Sequence, residues 1–190
     1  EELISRFRPN PLKADPVDFR LIAGFGFLRA GDYENAVRAF QIGLEDAKGA
    51  RHRADLYQGL ANAYYYGGYH PGPDGLARYD LSFVRKAAEA YEQATAADAR
   101  ALSIGNLGWM YFLLGEYEQA ERNSQRALSL DKNLLYVRLN LGLTLLAQNR
   151  IEDAYGAYRT VIRSQPDDEV LAGGINDLRE VMRDRPGRFP

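Results

Sequence analysis

Residues Leu107 to Ala120, LGWMYFLLGEYEQA, contain the pattern that decides the fold. The pattern returns 34 residues later as LGLTLLAQNRIEDA, from Leu141 to Ala154, and it occurs earlier as AGFGFLRAGDYENA, from Ala23 to Ala36. Each copy has a small residue, a large apolar residue three places on, a turn-forming residue and then an alanine. Because residues at this spacing share a helix face, each copy predicts two helices joined by a tight turn.

One turn slot and two packing slots recur along the chain. Glycine and asparagine accept the left-handed conformation that ends a helix, and the turn slot holds Gly31, Gly68, Gly115 and Asn149. Small residues let two antiparallel helices approach closely. They are Gly24, Ala61, Gly108 and Gly142 in the first helix of each pair, and Ala36, Ala87, Ala120 and Ala154 in the second.

A further slot lies four residues after the alanine of the second helix. It holds the large residues Phe40, Tyr91 and Tyr158, but Ser124 in the third copy. We predict that Ser124 makes a weaker contact, or that its hydroxyl is buried and bonded within its own helix.

A 34-residue period with this content resembles the tetratricopeptide repeat family over residues 17–168. The resemblance implies an all-α, right-handed α-solenoid of helix-turn-helix repeats, in which hairpins too thin to bury their own apolar faces stack side by side. We predict an extended lead-in over residues 1–16, four repeat units, a capping helix over 169–185 and a tail over 186–190. The units are placed at about 17–50, 54–99, 101–134 and 135–168.

The second unit carries an insertion from 67 to 80 between its two helices. Its four glycines and two prolines predict a loop. One interpretation is a tolerated surface insertion, since loop length costs little free energy. Others are a flap over a binding groove, a second contact site, or a chemical site that uses His70, Asp74 and Asp80.

The last predicted helix begins after Asp167 and Asp168, one of which caps it. Repeat arrays need a terminal element that shields the last apolar face, and Leu171, Ile175 and Leu178 lie at the helical spacing that this requires. We expect the charged residues of the helix to face water: Asp177, Arg179, Glu180, Arg183 and Asp184.

Composition excludes several classes of function. The 24 basic residues nearly balance the 26 acidic ones, and the arginines are interspersed with carboxylates, so we expect no nucleic-acid partner. The chain has no cysteine for disulfides or thiolate chemistry. No apolar run approaches the roughly 20 residues that a spanning helix needs, so we expect no membrane insertion. The predicted location is cytoplasmic, with the periplasm or a larger envelope protein as alternatives.

The parts of a catalytic site are also missing from the sequence pattern. The two histidines, His52 and His70, have no partner at metal-ligand spacing. No serine lies in a nucleophile-elbow motif. Gly24 and Gly26 lie inside a helix and are not followed by a phosphate-binding lysine. We therefore predict that the protein is not an enzyme and holds no cofactor or metal.

The resemblance further implies that the first helix of each unit lines the concave face, where a partner peptide binds. A rotation of about 100° per residue selects the side chains on these helices that point away from the hairpin contact. The predicted partner-binding residues are Phe25, Arg29, Asn62, Tyr65, Tyr66, Asn106, Trp109, Phe112, Asn140 and Leu143.

Trp109 is the single tryptophan and directly follows Gly108. We predict that it is exposed in the concavity as an interface hot spot. The alternative is that it packs against a neighbouring first helix, inside the array.

Three asparagines, Asn62, Asn106 and Asn140, form a row on the same face. A carboxamide pairs with both polar groups of a peptide backbone, so this row is predicted to hold an extended partner in register. Chaperone-binding members of the family clamp a C-terminal carboxylate with basic residues. This chain has Gln58, Tyr136 and Asn140 near the corresponding places, so we predict no carboxylate clamp and favour an apolar or aromatic-rich segment.

The sequence therefore predicts a non-catalytic scaffold that binds a protein or peptide segment in its concave groove. An alternative is that the same groove, filled by the lead-in or by a second copy, makes the protein a homo-oligomeric assembly module.

Overall fold

The computed structural model describes residues 15–184, in which nine α-helices and one two-stranded sheet follow each other in four hairpins and a final helix. The helices are α1 (Pro16–Arg29), α2 (Tyr33–Asp46), α3 (Ala50–Gly67), α4 (Leu81–Ala97), α5 (Ala101–Leu113), α6 (Tyr117–Leu130), α7 (Leu135–Ala147), α8 (Ile151–Arg163) and α9 (Asp168–Asp184). The strands are β1 (Tyr69–Pro71) and β2 (Ala77–Tyr79). This is the all-α solenoid that the repeat pattern predicts.

Local side chains fix where the helices begin. Asp15 accepts a hydrogen bond from the backbone of Val17, and Pro16 occupies the first turn of α1, where its missing N–H costs nothing. Pro16 therefore belongs to a helix and not to the predicted lead-in. Residues 1–14 and the tail at 186–190 lie outside the described residues.

The hairpin turns adopt left-handed backbone at three of the four predicted positions. Gly31, Gly115 and Asn149 have φ of 74°, 80° and 62°. The prediction for Gly68 is wrong, because its φ is −91° and it ends α3 in right-handed geometry. The inserted segment redirects the chain there, and its left-handed glycine is Gly75, with φ of 75°.

The packing slots behave as predicted. A Cβ added to Gly24 would lie 2.4 Å from Cε1 of Phe40, and one added to Gly142 would lie 2.7 Å from Cζ of Tyr158. The second-helix alanines are fully buried: Ala36, Ala87, Ala120 and Ala154. The first and fourth hairpins therefore close where one helix has no side chain and the other inserts a ring.

Ser124 departs from its prediction in one respect. Its side chain is buried against Gly108, and its Oγ has no hydrogen-bond partner among the described residues. The predicted bond within its own helix is therefore absent, and the small side chain fits the close approach of α5 at Gly108.

Successive hairpins stack mainly where a second helix packs against the first helix of the next hairpin. α1 contacts α3 and α5 contacts α7, while each second helix also packs against the first helix that follows it. The largest core cluster runs through this stack and includes Phe40, Leu56, Tyr91, Met110 and Leu143. The surface formed by α1, α3, α5 and α7 is called the groove below.

The insertion is a β-hairpin, so the prediction of a loop over 67–80 is wrong. Tyr69 pairs with Tyr79, His70 with Arg78, and Pro71 with Ala77, in antiparallel register. Strand pairing satisfies the backbone groups that a loop would leave to water.

Helix α9 begins as predicted, with the carboxylate of Asp167 accepting from the backbone of Val170 at 2.9 Å. Its apolar side packs on α7, where a Cβ added to Gly174 would lie 2.9 Å from Cδ1 of Leu139. No helix within residues 15–184 has the length and apolar character needed to cross a membrane.

The far end of α9 contacts the β-hairpin. Oε1 of Glu180 accepts a hydrogen bond from the backbone N–H of Ala77 at 2.6 Å, and Arg183 donates to the carbonyl of Ala77 at 2.8 Å. Arg183 also pairs with Asp74. The expectation that Glu180 and Arg183 face only water is therefore wrong, since the inserted hairpin gives them partners.

Candidate functional site

The groove contains a cavity of about 220 Å³ at its centre, called the groove pocket here. Side chains of α3, α4, α5 and α7 form its floor and sides, and α9 contributes one wall. Its lining consists of Asn62, Tyr65, Tyr66, Tyr91, Asn106, Trp109, Met110, Tyr136, Asn140 and Asp177. Aromatic rings and polar head groups therefore dominate the surface that a ligand would meet.

Tyr91 links two of the predicted asparagines. It reaches from α4 between the neighbouring first helices, donates its hydroxyl hydrogen to Oδ1 of Asn62 and accepts from Nδ2 of Asn106 at 3.0 Å. Burial raises the pKa of the Tyr91 hydroxyl, which stays neutral and able to donate. Asn62 and Asn106 each spend hydrogen-bonding capacity on the fold, so they are less available to a partner backbone than predicted.

Trp109 is buried rather than exposed, with 8% of its surface accessible. Its ring stacks on Phe112 with centroids 5.1 Å apart, and its Nε1–H donates to Oη of Tyr65 at 3.2 Å. The prediction of an exposed Trp109 is wrong, and the alternative of packing against a neighbouring first helix describes its place. The cause is Tyr65 on α3, which offers the indole N–H an acceptor.

Tyr65 also connects the groove pocket to the inserted hairpin. Its hydroxyl donates to that of Tyr79 on β2 at 3.2 Å, and the two rings stack with centroids 5.6 Å apart. Burial raises the pKa of both hydroxyls. The hairpin is thus fixed to the groove by one ring stack as well as by α9.

Besides Asp177 and the exposed Tyr66, two polar side chains of the pocket have no hydrogen-bond partner within the described part of the chain. The hydroxyl of Tyr136 is buried and unpaired. The carboxamide of Asn140 has no side-chain hydrogen bond, although only 7% of the residue is accessible. Burial raises the pKa of Tyr136 to about 12, so the hydroxyl is neutral. Buried polar groups are normally paired, so the Tyr136 hydroxyl marks a place where a ligand atom would fit. The Asn140 carboxamide lines the same cavity and is free to bond to a ligand.

Asp177 supplies the only carboxylate among the residues that line the pocket. Burial first, and the charge of Glu180 second, raise the pKa of Asp177 to about 7. No lysine or arginine of residues 15–184 lines the pocket to offset it. The expectation that Asp177 faces water is wrong, because α9 turns this side chain toward the groove.

The structure brings together six of the ten predicted partner-binding residues in the pocket lining: Asn62, Tyr65, Tyr66, Asn106, Trp109 and Asn140. Phe112 and Leu143 are each 1% accessible and belong to the core, so the structure contradicts their predicted availability. Phe112 packs between Trp109 and Tyr117 of its own hairpin, and Leu143 belongs to the main core cluster. Phe25 and Arg29 are exposed on α1, away from the pocket.

The sequence interpretation missed Tyr91, Met110 and Asp177 as lining residues. Tyr91 was assigned to the hairpin contact, and its length carries its hydroxyl past that contact into the groove. Asp177 lies about 100° from Leu178 around the helix, at the edge of the apolar stripe of α9. This position beside the apolar stripe is the one feature of the sequence that indicates that Asp177 faces the rest of the protein.

No group of three or more potential metal ligands occurs within the described ranges of the chain. His52 lies 3.3 Å from a carboxylate oxygen of Asp18, and His70 is exposed on β1. The triad suggested for the insertion is not assembled as a metal cluster.

Comparison with known proteins supports the repeat assignment. Residues 111–178 match the tetratricopeptide repeat family model. This match assigns tetratricopeptide repeats to residues 111–178, and the hairpins before them stack in the same way.

Solved structures show the same fold. MamA aligns at a TM-score of 0.65 and 16% identity, over 86% of this chain and 84% of its own. PilF of Pseudomonas aeruginosa aligns at 0.64 and 23% identity, over 88% of this chain and 71% of its own. The O-GlcNAc transferase of Thermobaculum terrenum aligns at 0.55 and 20% identity, over 70% of this chain but only 22% of its own. No curated protein sequence matches this chain.

Proposed function

We propose that the protein is a non-catalytic scaffold that binds a segment of a partner protein in its groove, centred on the groove pocket. The tetratricopeptide repeat fold generally mediates protein–protein interaction. The observation that carries the proposal is the pair of unpaired polar groups in the pocket, the Asn140 carboxamide and the Tyr136 hydroxyl. Each lacks the hydrogen bond that a partner backbone or side chain would supply.

The lining also supplies apolar contact for a partner. Tyr66 is 49% accessible, and its ring stacks on Tyr33 and meets Tyr65 edge to face. A ring held by two neighbours loses little side-chain entropy when it binds, which favours such residues as interface anchors. Tyr66 thus replaces Trp109 as the proposed aromatic anchor of the groove.

The proposal is tested by selecting binding peptides from a random display library against the full chain. The selected peptides are then measured against Asn140→Ala and against a matched control, Gln125→Ala, which removes an exposed carboxamide from α6. We expect the main peptide class to lose at least about fivefold in affinity with Asn140→Ala, since an unpaired partner group costs about 1–3 kcal/mol. Equal binding to both variants would contradict the proposal.

Asn140→Ala is a suitable probe because its carboxamide bonds to nothing else described in the chain. Its fold is checked by circular dichroism and urea unfolding. If the unfolding midpoint of Asn140→Ala is unchanged, a loss of binding is due to the missing carboxamide in the groove and not to a loss of folding.

A second candidate function is self-assembly, favoured by exposed apolar side chains near both ends of the stack. Ile22 of α1 is 67% accessible, and Ile162 of α8 and Ile175 of α9 are 65% and 50% accessible. Copies that meet end to end form a heterologous contact. Light scattering across a concentration series tests this: growth in mass that Ile22→Asp abolishes supports assembly, and a constant monomer mass contradicts it.

A further inference from the structure

We propose that the groove pocket binds an alkylammonium group, such as the end of a lysine side chain in the partner segment, with Asp177 as its counter-charge. This inference rests on the proposed function and names the chemistry that the pocket recognises.

The charges around the pocket point to a missing cation. Asp177 lines the pocket with Tyr65, and the titratable groups whose pKa it shares a charge interaction with are the hydroxyls of Tyr65, Tyr79 and Tyr158 and the carboxylate of Glu180 on its own helix. None of these groups is positive. The nearby cation of α9, Arg183, is directed to the hairpin. Asp177 is half-buried, and a carboxylate withdrawn from water normally has a paired positive charge. A ligand ammonium would provide it.

The aromatic lining suits the same ligand. Rings from four helices line the cavity, and their π faces attract cations, with tryptophan the strongest and tyrosine next. They belong to Tyr65, Tyr66, Tyr91, Trp109 and Tyr136. A flat polar ligand without charge would gain stacking but would leave Asp177 without a counter-ion.

Hydrogen-bonding capacity completes the match. An ammonium has three N–H donors and no acceptor. The carboxylate of Asp177, the Oδ1 of Asn140 and the Oη of Tyr136 are three acceptors that line one cavity. The latter two have no hydrogen bond of their own in the described structure.

The size of the cavity suits a side chain. About 220 Å³ lies below the roughly 300–1,000 Å³ of pockets that hold a drug-sized molecule or cofactor. A four-carbon chain with a terminal ammonium is of the right order, and the rest of the partner would remain in the open groove.

The test uses n-butylammonium as the probe, with n-butanol as its neutral counterpart, on the full chain. Saturation-transfer NMR reports contact with the probe. The fluorescence of Trp109, the single tryptophan, reports occupancy of the pocket itself. We expect saturable n-butylammonium binding at about pH 8 and at least tenfold weaker binding of n-butanol.

Affinity follows the ionisation of Asp177, whose pKa in the free protein is about 7. Between about pH 5.5 and pH 8 the ionised fraction rises roughly 30-fold, so n-butylammonium binding strengthens by about 10- to 30-fold. Asp177→Asn removes both the binding and its pH dependence. The matched control Glu169→Gln removes an exposed carboxylate from the first turn of α9 and leaves both unchanged.

Three outcomes overturn the inference: no saturable signal from n-butylammonium, equal binding of n-butanol, or undiminished binding to Asp177→Asn. The pH profile separates recognition from a structural effect, because a variant that only loosens α9 does not abolish a titration centred near pH 7. If n-butylammonium fails while peptides that depend on Asn140 are selected, the cation site is wrong and the scaffold function stands. If n-butylammonium binds but no selected peptide depends on Asn140, the cation site stands and the proposed peptide-binding function is wrong.

Discussion

Two glycines on one helix give a direct test of how the first repeat unit packs. Gly24 and Gly26 both lie within α1, in ordinary helical backbone. A Cβ on Gly24 would approach Cε1 of Phe40 to 2.4 Å, whereas a Cβ on Gly26 would meet no atom within 4 Å. Gly24→Ala and Gly26→Ala therefore make the same chemical change in two different surroundings.

The two substitutions are expected to change the free energy of unfolding in opposite directions. Alanine stabilises a helix interior by about 0.5–1 kcal/mol relative to glycine, and Gly26→Ala keeps that full gain. At Gly24 an overpacking cost of about 1–3 kcal/mol opposes the gain. Phe40 is fully buried, and Gly59 on its other side would also place a Cβ 2.4 Å from the ring, so the ring has nowhere to move. We expect Gly24→Ala to destabilise by about 1–2 kcal/mol net.

Urea unfolding followed by circular dichroism measures both variants, with amide exchange of α1 and α2 to localise the effect, since repeat arrays do not always unfold in one step. A background of Phe40→Leu supplies the control. There the smaller side chain leaves room for the new methyl, and the cost of Gly24→Ala falls by at least about 1 kcal/mol. If Gly24→Ala stabilises the protein as much as Gly26→Ala, the close approach of α1 and α2 is refuted.

Four further changes have defined outcomes. The pKa of Asp177 is higher in the folded than in the unfolded protein, so the stability of the wild type falls as pH rises from about 4 to about 7. Asp177→Asn is therefore expected to be about 1–3 kcal/mol more stable than the wild type at pH 8 and equally stable near pH 4, as measured by urea unfolding. Ser124→Ala removes a buried unpaired hydroxyl and raises the thermal midpoint by a few degrees, and a lowered midpoint contradicts this. Gly115→Ala forces alanine into left-handed backbone and costs about 1–2 kcal/mol, which calorimetry detects. Arg183→Ala removes the donor to the carbonyl of Ala77, so amides of β2 exchange faster while those of α5 do not.

The elements that sequence reasoning placed correctly are those that local rules determine. The spacing of Gly108, Tyr111, Gly115 and Ala120 reflects one helix pitch, one left-handed turn and one close approach, all within a few residues. The same rules gave the start of α9 from the Asp167 cap. A repeated local signal is strong because each copy supports the others.

Exposure in the groove could not be obtained in the same way. Helical rotation gives the direction in which Trp109 points, and that direction was correct, since it lines the groove pocket. What covers Trp109 depends on Tyr65, 44 residues away, and on the stack with Phe112. A side chain that leaves its own hairpin contact meets either solvent or a neighbouring unit, and only tertiary geometry decides between them.

The two elements that sequence reasoning placed least well, the insertion and the end of α9, depend on each other. In the β-hairpin, Gly72 donates to Leu76 and Asp80 donates to Gly68, so the register leaves the N–H and C=O of Ala77 pointing away from β1. An edge strand with unpaired backbone groups needs a cover.

Helix α9 supplies that cover, because Glu180 accepts from the N–H of Ala77 and Arg183 donates to its carbonyl across more than 100 residues of sequence. The same placement brings Asp177, one turn earlier, over Tyr65 and Trp109. The hairpin therefore fixes the end of α9, and α9 in turn forms one wall of the groove pocket. A tetratricopeptide array without this insertion would lack that anchor, so the acidic wall of the pocket follows from the 14 extra residues of the second unit.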